Sequence, residues 1–324
     1  MCHFRRTHGQ SPRVLRTAPQ AGPRIKRTVF LVNPAAENGA AGRRWPELAH
    51  RAAALGLSGD ALLSERPGHL TELAREAAGT ADLLVAVGGD GTVNEVANGI
   101  AGLEVELAVI ARGTGWDFVR TYGIPRKLDD AVEVALNGRT REIDLGRATY
   151  RTWDGGQRGS LFANIASAGM SGAIAQRANE TSKALGGKVS YVWATLAVFA
   201  RWRNDEVIVR VDGVRHSGRM HDVIVANGRY LGGGMKMLPE AEPDDGRFDV
   251  LLIGDLTKRD LLLTLPKTYR GTHLPHPKAT VLRGAHVEVE APEPLPVELD
   301  GEQPGTTPVS FEVVPRALRL RVPA

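Results

Sequence analysis

The chain is poor in sulfur and in aromatic rings, and it has no long apolar run. Its single cysteine, Cys2, excludes an internal disulfide framework and a cysteine-based metal site, which fits a reducing compartment. Aromatic residues are 5% of the 324 residues, and no stacking platform or DNA-reading motif accompanies the basic segments, so no nucleic-acid partner is expected. No stretch approaches the roughly 20 apolar residues of a membrane-spanning helix. The longest candidate, 189–200, contains Ser190, Tyr191 and Thr195 and reads as a buried core helix. Residues 1–27 have no apolar segment of the secretory type. The nine histidines show no tight ligand spacing, and His273 and His276, flanking Pro275, read as surface residues.

Acidic residues are missing from one place. Residues 1–27 hold Arg5, Arg6, Arg13, Arg16, Arg24, Lys26 and Arg27 and no Asp or Glu. Removing those seven from 41 Lys+Arg leaves 34 against 37 Asp+Glu, so the body is mildly acidic although the net charge is +4. This leader reads either as a solvated, disordered segment or as a cationic arm for anionic lipid.

A length of 324 residues with 42% hydrophobic residues supports two domains, each with its own core. In the first half, apolar runs such as Thr28–Asn33 and Asp82–Val87 alternate with helical patterns at Arg43–Leu55, Leu70–Ala78 and Val93–Ile100, and Ala61–Ser64 and Glu106–Ile110 read as further strands. Alternation of this kind predicts an α/β domain with a Rossmann-like open parallel sheet, whose ligands sit beyond the carboxyl ends of the strands. Past Arg141 the pattern turns strand-rich. Glu206–Val211 and Val214–Met220 flank Asp212-Gly213 as a hairpin, and Val223–Ala226, Phe248–Ile253, Ala285–Val289, Pro296–Leu299 and Val309–Val313 are short strands. Helical patterns at Ser171–Leu185 and Lys188–Arg203 interrupt them. The expected architecture is a nucleotide-binding α/β domain over 28–147 and a mainly antiparallel β-sandwich over 148–324, the last strand being a candidate to return to the first domain.

Gly88-Gly89-Asp90-Gly91-Thr92 lies between an apolar strand and a helix. Glycines let the backbone approach a phosphate, the helix N-terminus supplies N–H groups, and Asp90 adds an acceptor for Mg²⁺. There is no Walker A sequence and no kinase-type Gly-rich loop. Asp300-Gly301-Glu302 alone reads as a hairpin turn. Pro243-Asp244-Asp245-Gly246 reads equally as a plain turn or as a metal-binding one, and Gly232-Gly233-Gly234 as a loop where backbone passes closely.

The run Gly88–Ile100 resembles the diacylglycerol kinase catalytic domain family, which includes bacterial lipid kinases and sphingosine kinases. Val32–Gly42, Ala111–Phe118, Ile143–Gly146, Phe162–Gly169, Asn227–Val250 and Asp300–Glu302 follow the family's motifs in order. Ala111, Arg112 and Trp116 depart from them, and Trp116, standing where the family has Asn, is assigned no role. The resemblance implies an ATP-dependent kinase acting on a lipid hydroxyl, with the nucleotide in the interdomain cleft and Mg²⁺ as cofactor. It implies that Asn33, Gly88, Gly89, Gly91, Thr92, Glu95, Gly113 and Thr114 bind the nucleotide. It makes Asp300 the general base, with Glu302 organising metal and nucleotide. Asp90 and Asp117 join in catalysis and metal binding, and Asp245 holds a structural Mg²⁺. The expected partner is a lipid at a membrane surface, reached by peripheral contact from the cytoplasmic side, and a homodimer is compatible. NAD kinases share Gly-Gly-Asp-Gly, so an NAD kinase-like enzyme and a non-catalytic nucleotide or lipid sensor are the alternatives.

Overall fold

A computed structural model describes residues 27–113, 115–185, 198–199 and 201–324. The basic leader before Arg27, most of the helix expected at 188–203 and Thr114 lie outside the described residues.

The first part runs β1 (Thr28–Val32), α1 (Ala40–Ala54), β2 (Asp60–Leu63), α2 (His69–Ala78), β3 (Leu83–Gly88), α3 (Asp90–Ile100), β4 (Glu106–Ala111), α4 (Asp117–Tyr122) and α5 (Leu128–Asn137). β1 pairs in parallel with β2 and β3, and β3 with β4. Every residue of β1 and β3 is buried, which is why both read as unbroken apolar runs. Alternate residues serve opposite faces. Leu31, Leu84 and Leu107 pack with Leu70, Val96 and Ile100 from α2 and α3, while Phe30, Val85 and Ile110 pack with Trp45, Leu128 and Val132 from α1 and α5. α3 begins at Asp90, three residues before the expected Val93, because Gly89 holds the extended conformation that turns β3 directly into the helix.

The second part contains β5 (Arg139–Arg151), β6 (Gln157–Phe162), β7 (Ile165–Gly169), α6 (Met170–Leu185), β8 (Asp205–Val211), β9 (Val214–Ala226), β10 (Tyr230–Leu231), β11 (Met235–Lys236), β12 (Phe248–Gly254), α7 (Lys258–Thr268), β13 (Ala279–Gly284), β14 (His286–Glu290), β15 (Pro296–Leu299) and β16 (Glu302–Val322). The β8–β9 hairpin turns on Asp212 and Gly213, both at positive φ. Val223–Ala226 is the end of β9 rather than a separate strand, and α7 and β13 carried no expectation. β12, β9, β7 and β15 are antiparallel neighbours, as are β8, β14, β16 and β5. Between them Phe162 stacks on Phe248 at 5.6 Å and meets Phe311 edge-on at 5.9 Å. β16 pairs with β5 along most of its length and then runs parallel to β4 through Arg319 and Leu320. Its 21 residues therefore tie the two halves into one continuous sheet. His273 is buried, not on the surface, because neighbouring Leu274 packs on the cluster around Met237 and draws the loop inward.

Candidate active site

The loops after β1, β3 and β4 come together at the carboxyl ends of the parallel strands. Asn33 Nδ2 donates to Thr92 Oγ1 at 3.1 Å, and Asn33 Oδ1 accepts from Ala35 N at 3.0 Å. A Cβ on Gly88 would collide with the Thr92 side chain, and one on Gly113 would lie 2.8 Å from Gly89 Cα. Those glycines are required by the protein's own packing. Gly91 is different, since a Cβ there meets nothing within 4 Å. No side chain caps α3, so its first N–H groups and its dipole face that open space, the arrangement that binds phosphate.

Two carboxylates stand beside it. Asp90 Oδ1 accepts from Phe118 N at 3.0 Å and so caps α4. Asp117 Oδ2 accepts from Gly233 N at 2.7 Å, and its Oδ1 accepts from Arg120 Nη1 at 2.9 Å. The glycine loop holds φ of 65°, 82° and 116° at Gly232, Gly233 and Gly234, which is how a backbone N–H reaches Asp117. Burial raises the Asp117 pKa to about 6, against the Gly233 N–H and Arg120 and with help from Asp90. A Cβ on Gly115 would collide with Asp90 Oδ2 and sit 3.8 Å from Asp117 Oδ2. Both carboxylates thus border one small space that the glycine leaves clear. Two anionic oxygens around such a space fit a hard divalent cation.

Asp300 comes from the other half. Its Oδ2 accepts from Asn94 Nδ2 at 2.8 Å and Ala163 N at 2.6 Å, and its Oδ1 from Asn164 N and Ile165 N at 3.0 Å each. Burial raises its pKa, and the four donors oppose that rise. Asp300 and Gly301 both have positive φ, and the Gly301 N–H donates to the buried Glu298, whose other oxygen accepts from Ser167 Oγ at 3.1 Å. Glu302 is exposed. Glu95 Oε2 accepts from Leu70 N at 3.1 Å, which caps α2. Asp245 stands elsewhere. It is paired with Arg283 and accepts from Arg247 N at 3.0 Å, away from the space between Asp90 and Asp117. Among the described residues no cluster of three or more His, Cys, Asp or Glu is arranged for a metal.

Sequence reasoning missed the residues that join the halves. Asn98, one turn after Asn94, exchanges hydrogen bonds with the Leu161 backbone at 3.0 Å in both directions. Two asparagines at i and i+4, hence on one face of α3, were the available signal. Asp144 is buried, accepts from Gly246 N and Arg316 N at 2.8 Å, and fixes the turn before β12 and the bend in β16.

These features define a two-domain, nucleotide-dependent phosphotransferase. Residues 27–148 match the diacylglycerol kinase catalytic domain, and residues 164–322 match the YegS C-terminal NAD kinase beta sandwich-like domain. The chain is 30% identical to a diacylglycerol kinase of Bacillus subtilis over 79% of its own length and 83% of the relative's. It is 35% identical to a probable lipid kinase YegS-like protein of Pseudomonas aeruginosa over 74% and 76%. A crystal structure from Bacillus anthracis str. Sterne superposes with a TM-score of 0.76 at 25% identity, covering 95% of this chain and 98% of the other. The chain belongs to the diacylglycerol kinase family and is a lipid kinase, with ATP implied as its donor.

Proposed function

We propose that the protein transfers the γ-phosphoryl group of ATP to the hydroxyl of diacylglycerol or a closely related lipid, at the cytoplasmic face of a membrane, with the nucleotide held in the cleft between the two domains. The observation that carries this reading is that α3 serves both halves of the chemistry. Its N-terminus is the Gly-Gly-Asp-Gly loop, and one turn later Asn94 holds Asp300 at 2.8 Å.

The phosphates rest on the uncapped end of α3, with Gly91 leaving them room and Asn33 and Thr92 fixing the loop. Asp90 and Asp117 would hold Mg²⁺, which would supply charge neutralisation for the transferring group. Asp300 accepts the proton of the lipid hydroxyl. All the acceptor positions of its carboxylate are engaged, so the hydroxyl takes the place of the Asn94 amide when the lipid is seated. The lipid oxygen bonds to the γ-phosphorus, the bond to the β–γ bridging oxygen breaks with its electron pair going to ADP, and the proton leaves through Asp300. Glu302, exposed two residues from Asp300, organises the metal and nucleotide.

The acceptor is identified by incubating the protein with γ-labelled ATP, Mg²⁺ and a total lipid extract, then resolving the labelled product. Labelled phosphatidic acid is the expected result, and a labelled sphingoid base or polyprenol would replace diacylglycerol as the acceptor.

A further inference from the structure

α7 is built inside out. The stripe it turns to the protein is Leu261, Thr264 and Thr268, and the two threonines are 9% and 7% exposed. On the outer side Leu262 is 59% exposed, Leu263 62% and Leu265 38%, and Tyr269 just beyond the helix is 55% exposed. An ordinary surface helix buries its leucines and exposes its threonines. Single exposed leucines need no explanation, but four large apolar side chains on one eleven-residue helix and its C-cap form a patch that does.

The patch has a cationic rim. Arg259, Lys267 and Arg270 are exposed beside it, while Asp260 is bound to Lys278 at 2.8 Å and also closes the capping box with Thr257. The acid nearest the leucines is therefore neutralised, and the face presents apolar bulk with positive charge. That chemistry matches the headgroup and acyl boundary of an anionic bilayer, where leucine and tyrosine bury into the interface and Arg and Lys meet lipid phosphates.

Its place in the fold agrees. β12 starts at Phe248, beside Ala226 and the Asn227 that donates to Asp144 O and Ala163 O, so this end faces the first domain. β12 ends at Gly254, and α7 follows at the opposite end of the second domain. At about 3.3 Å per residue the strand separates the two ends by roughly 20 Å. Membrane contact at α7 therefore keeps the nucleotide loops clear of the bilayer, and the acceptor lipid has to be lifted out of it to reach Asp300.

We propose that α7 is the membrane-docking element of this protein, seating Leu262, Leu263, Leu265 and Tyr269 in the interface of an anionic bilayer with Arg259, Lys267 and Arg270 on its phosphates. The inference rests on the lipid-kinase reading for its purpose but not for its test. Vesicles of phosphatidylcholine, alone or mixed with phosphatidylglycerol, are sedimented with the full chain at low salt, without ATP or diacylglycerol. The wild type is expected to bind the mixed vesicles. L262S/L263S should bind about tenfold or more weakly. R259E/R270E should lose the preference for mixed over neutral vesicles. Both variants should melt with the wild type and phosphorylate detergent-dispersed diacylglycerol at the wild-type rate. Undiminished vesicle binding by both variants, or no binding by the wild type, overturns the proposal. A dimer in gel filtration that L262S/L263S dissolves also overturns it, because the face would then be covered by a second copy. If vesicle binding depends on α7 but no lipid is ever phosphorylated, the docking helix stands and the kinase reading falls.

Discussion

Asn94 Nδ2 donates to Asp300 Oδ2 across 2.8 Å, joining a helix of the first domain to a turn of the second. The carboxylate also collects three backbone N–H groups, so Asp300 organises the β7 entrance as well as being the proposed base. Asp300→Asn is therefore expected to lower kcat by roughly two to four orders of magnitude. It should also cost about 1–3 kcal/mol of stability, because an amide N–H₂ replaces an acceptor that buried donors rely on. Asn94→Ala should keep more activity, since it removes only a donor that the lipid hydroxyl displaces. Thermal melts and steady-state kinetics on both variants check this, and a fully active Asp300→Asn removes Asp300 from proton transfer.

Asp90 both caps α4 through Phe118 N and borders the space at Gly115 with Asp117. Asp90→Ala should abolish Mg²⁺-dependent transfer and, by losing the cap, cost about 0.5–2 kcal/mol. Asp90→Asn keeps the acceptor and should recover the stability without the activity. Equal melting temperatures for the Ala and Asn variants would contradict the capping role.

Burial raises Glu298 to about 8, with the Gly301 N–H opposing it, Asp300 adding to the rise and Ser167 opposing it. A carboxyl whose folded pKa is raised contributes stability below its unfolded pKa near 4 and loses it as pH rises through the folded value. Burial raises Asp222 to about 7 and Asp117 to about 6, both with the same sign. Stability should accordingly fall as pH climbs from about 4 to about 8. Glu298→Gln, permanently neutral, should gain on the wild type in melting temperature as pH rises. A difference that is flat with pH would show that Glu298 does not titrate in this range.

Trp116 has φ of 67°, a left-handed value, and Arg126 lies 3.8 Å from its ring centroid. Trp116→Asn relieves a backbone cost of about 1 kcal/mol, because Asn tolerates this conformation, and forfeits a cation–π contact of similar size. Stability should change little. Trp116 lines the hollow formed by Gly89, Asp90 and Gly113, so the exchange should move the KM for ATP severalfold and leave kcat nearly intact. Competitive nucleotide kinetics decide it.

The parallel strands of the first half were legible because both faces are buried and the chain must be apolar throughout. The β8–β9 hairpin was legible from Asp212-Gly213. α4 and α5 escaped notice, α4 because a six-residue helix has too few turns to show a period. α7 escaped because Leu261, Leu262 and Leu263 are consecutive rather than at helical spacing and Pro266 lies inside the helix. At the site, Gly88–Thr92 could be placed from the strand and helix around it. Asp300 was placed only by its order among the family's motifs, because its partner Asn94 is 206 positions away. Local sequence shows a turn there, and only tertiary pairing turns it into the partner of the phosphate loop. The pairing of Asp245 with Arg283 was likewise invisible, since nothing nearby in sequence announces the arginine.

The account turns on which hydroxyl receives the phosphate. The direct measurement gives the purified chain γ-labelled ATP and Mg²⁺ with diacylglycerol in anionic vesicles, and in parallel with NAD. The account predicts labelled phosphatidic acid that disappears in Asp90→Ala and Asp300→Asn, with NAD unlabelled. Labelled NADP with unlabelled lipid, or nucleotide binding with no transfer to any lipid alcohol, would contradict it.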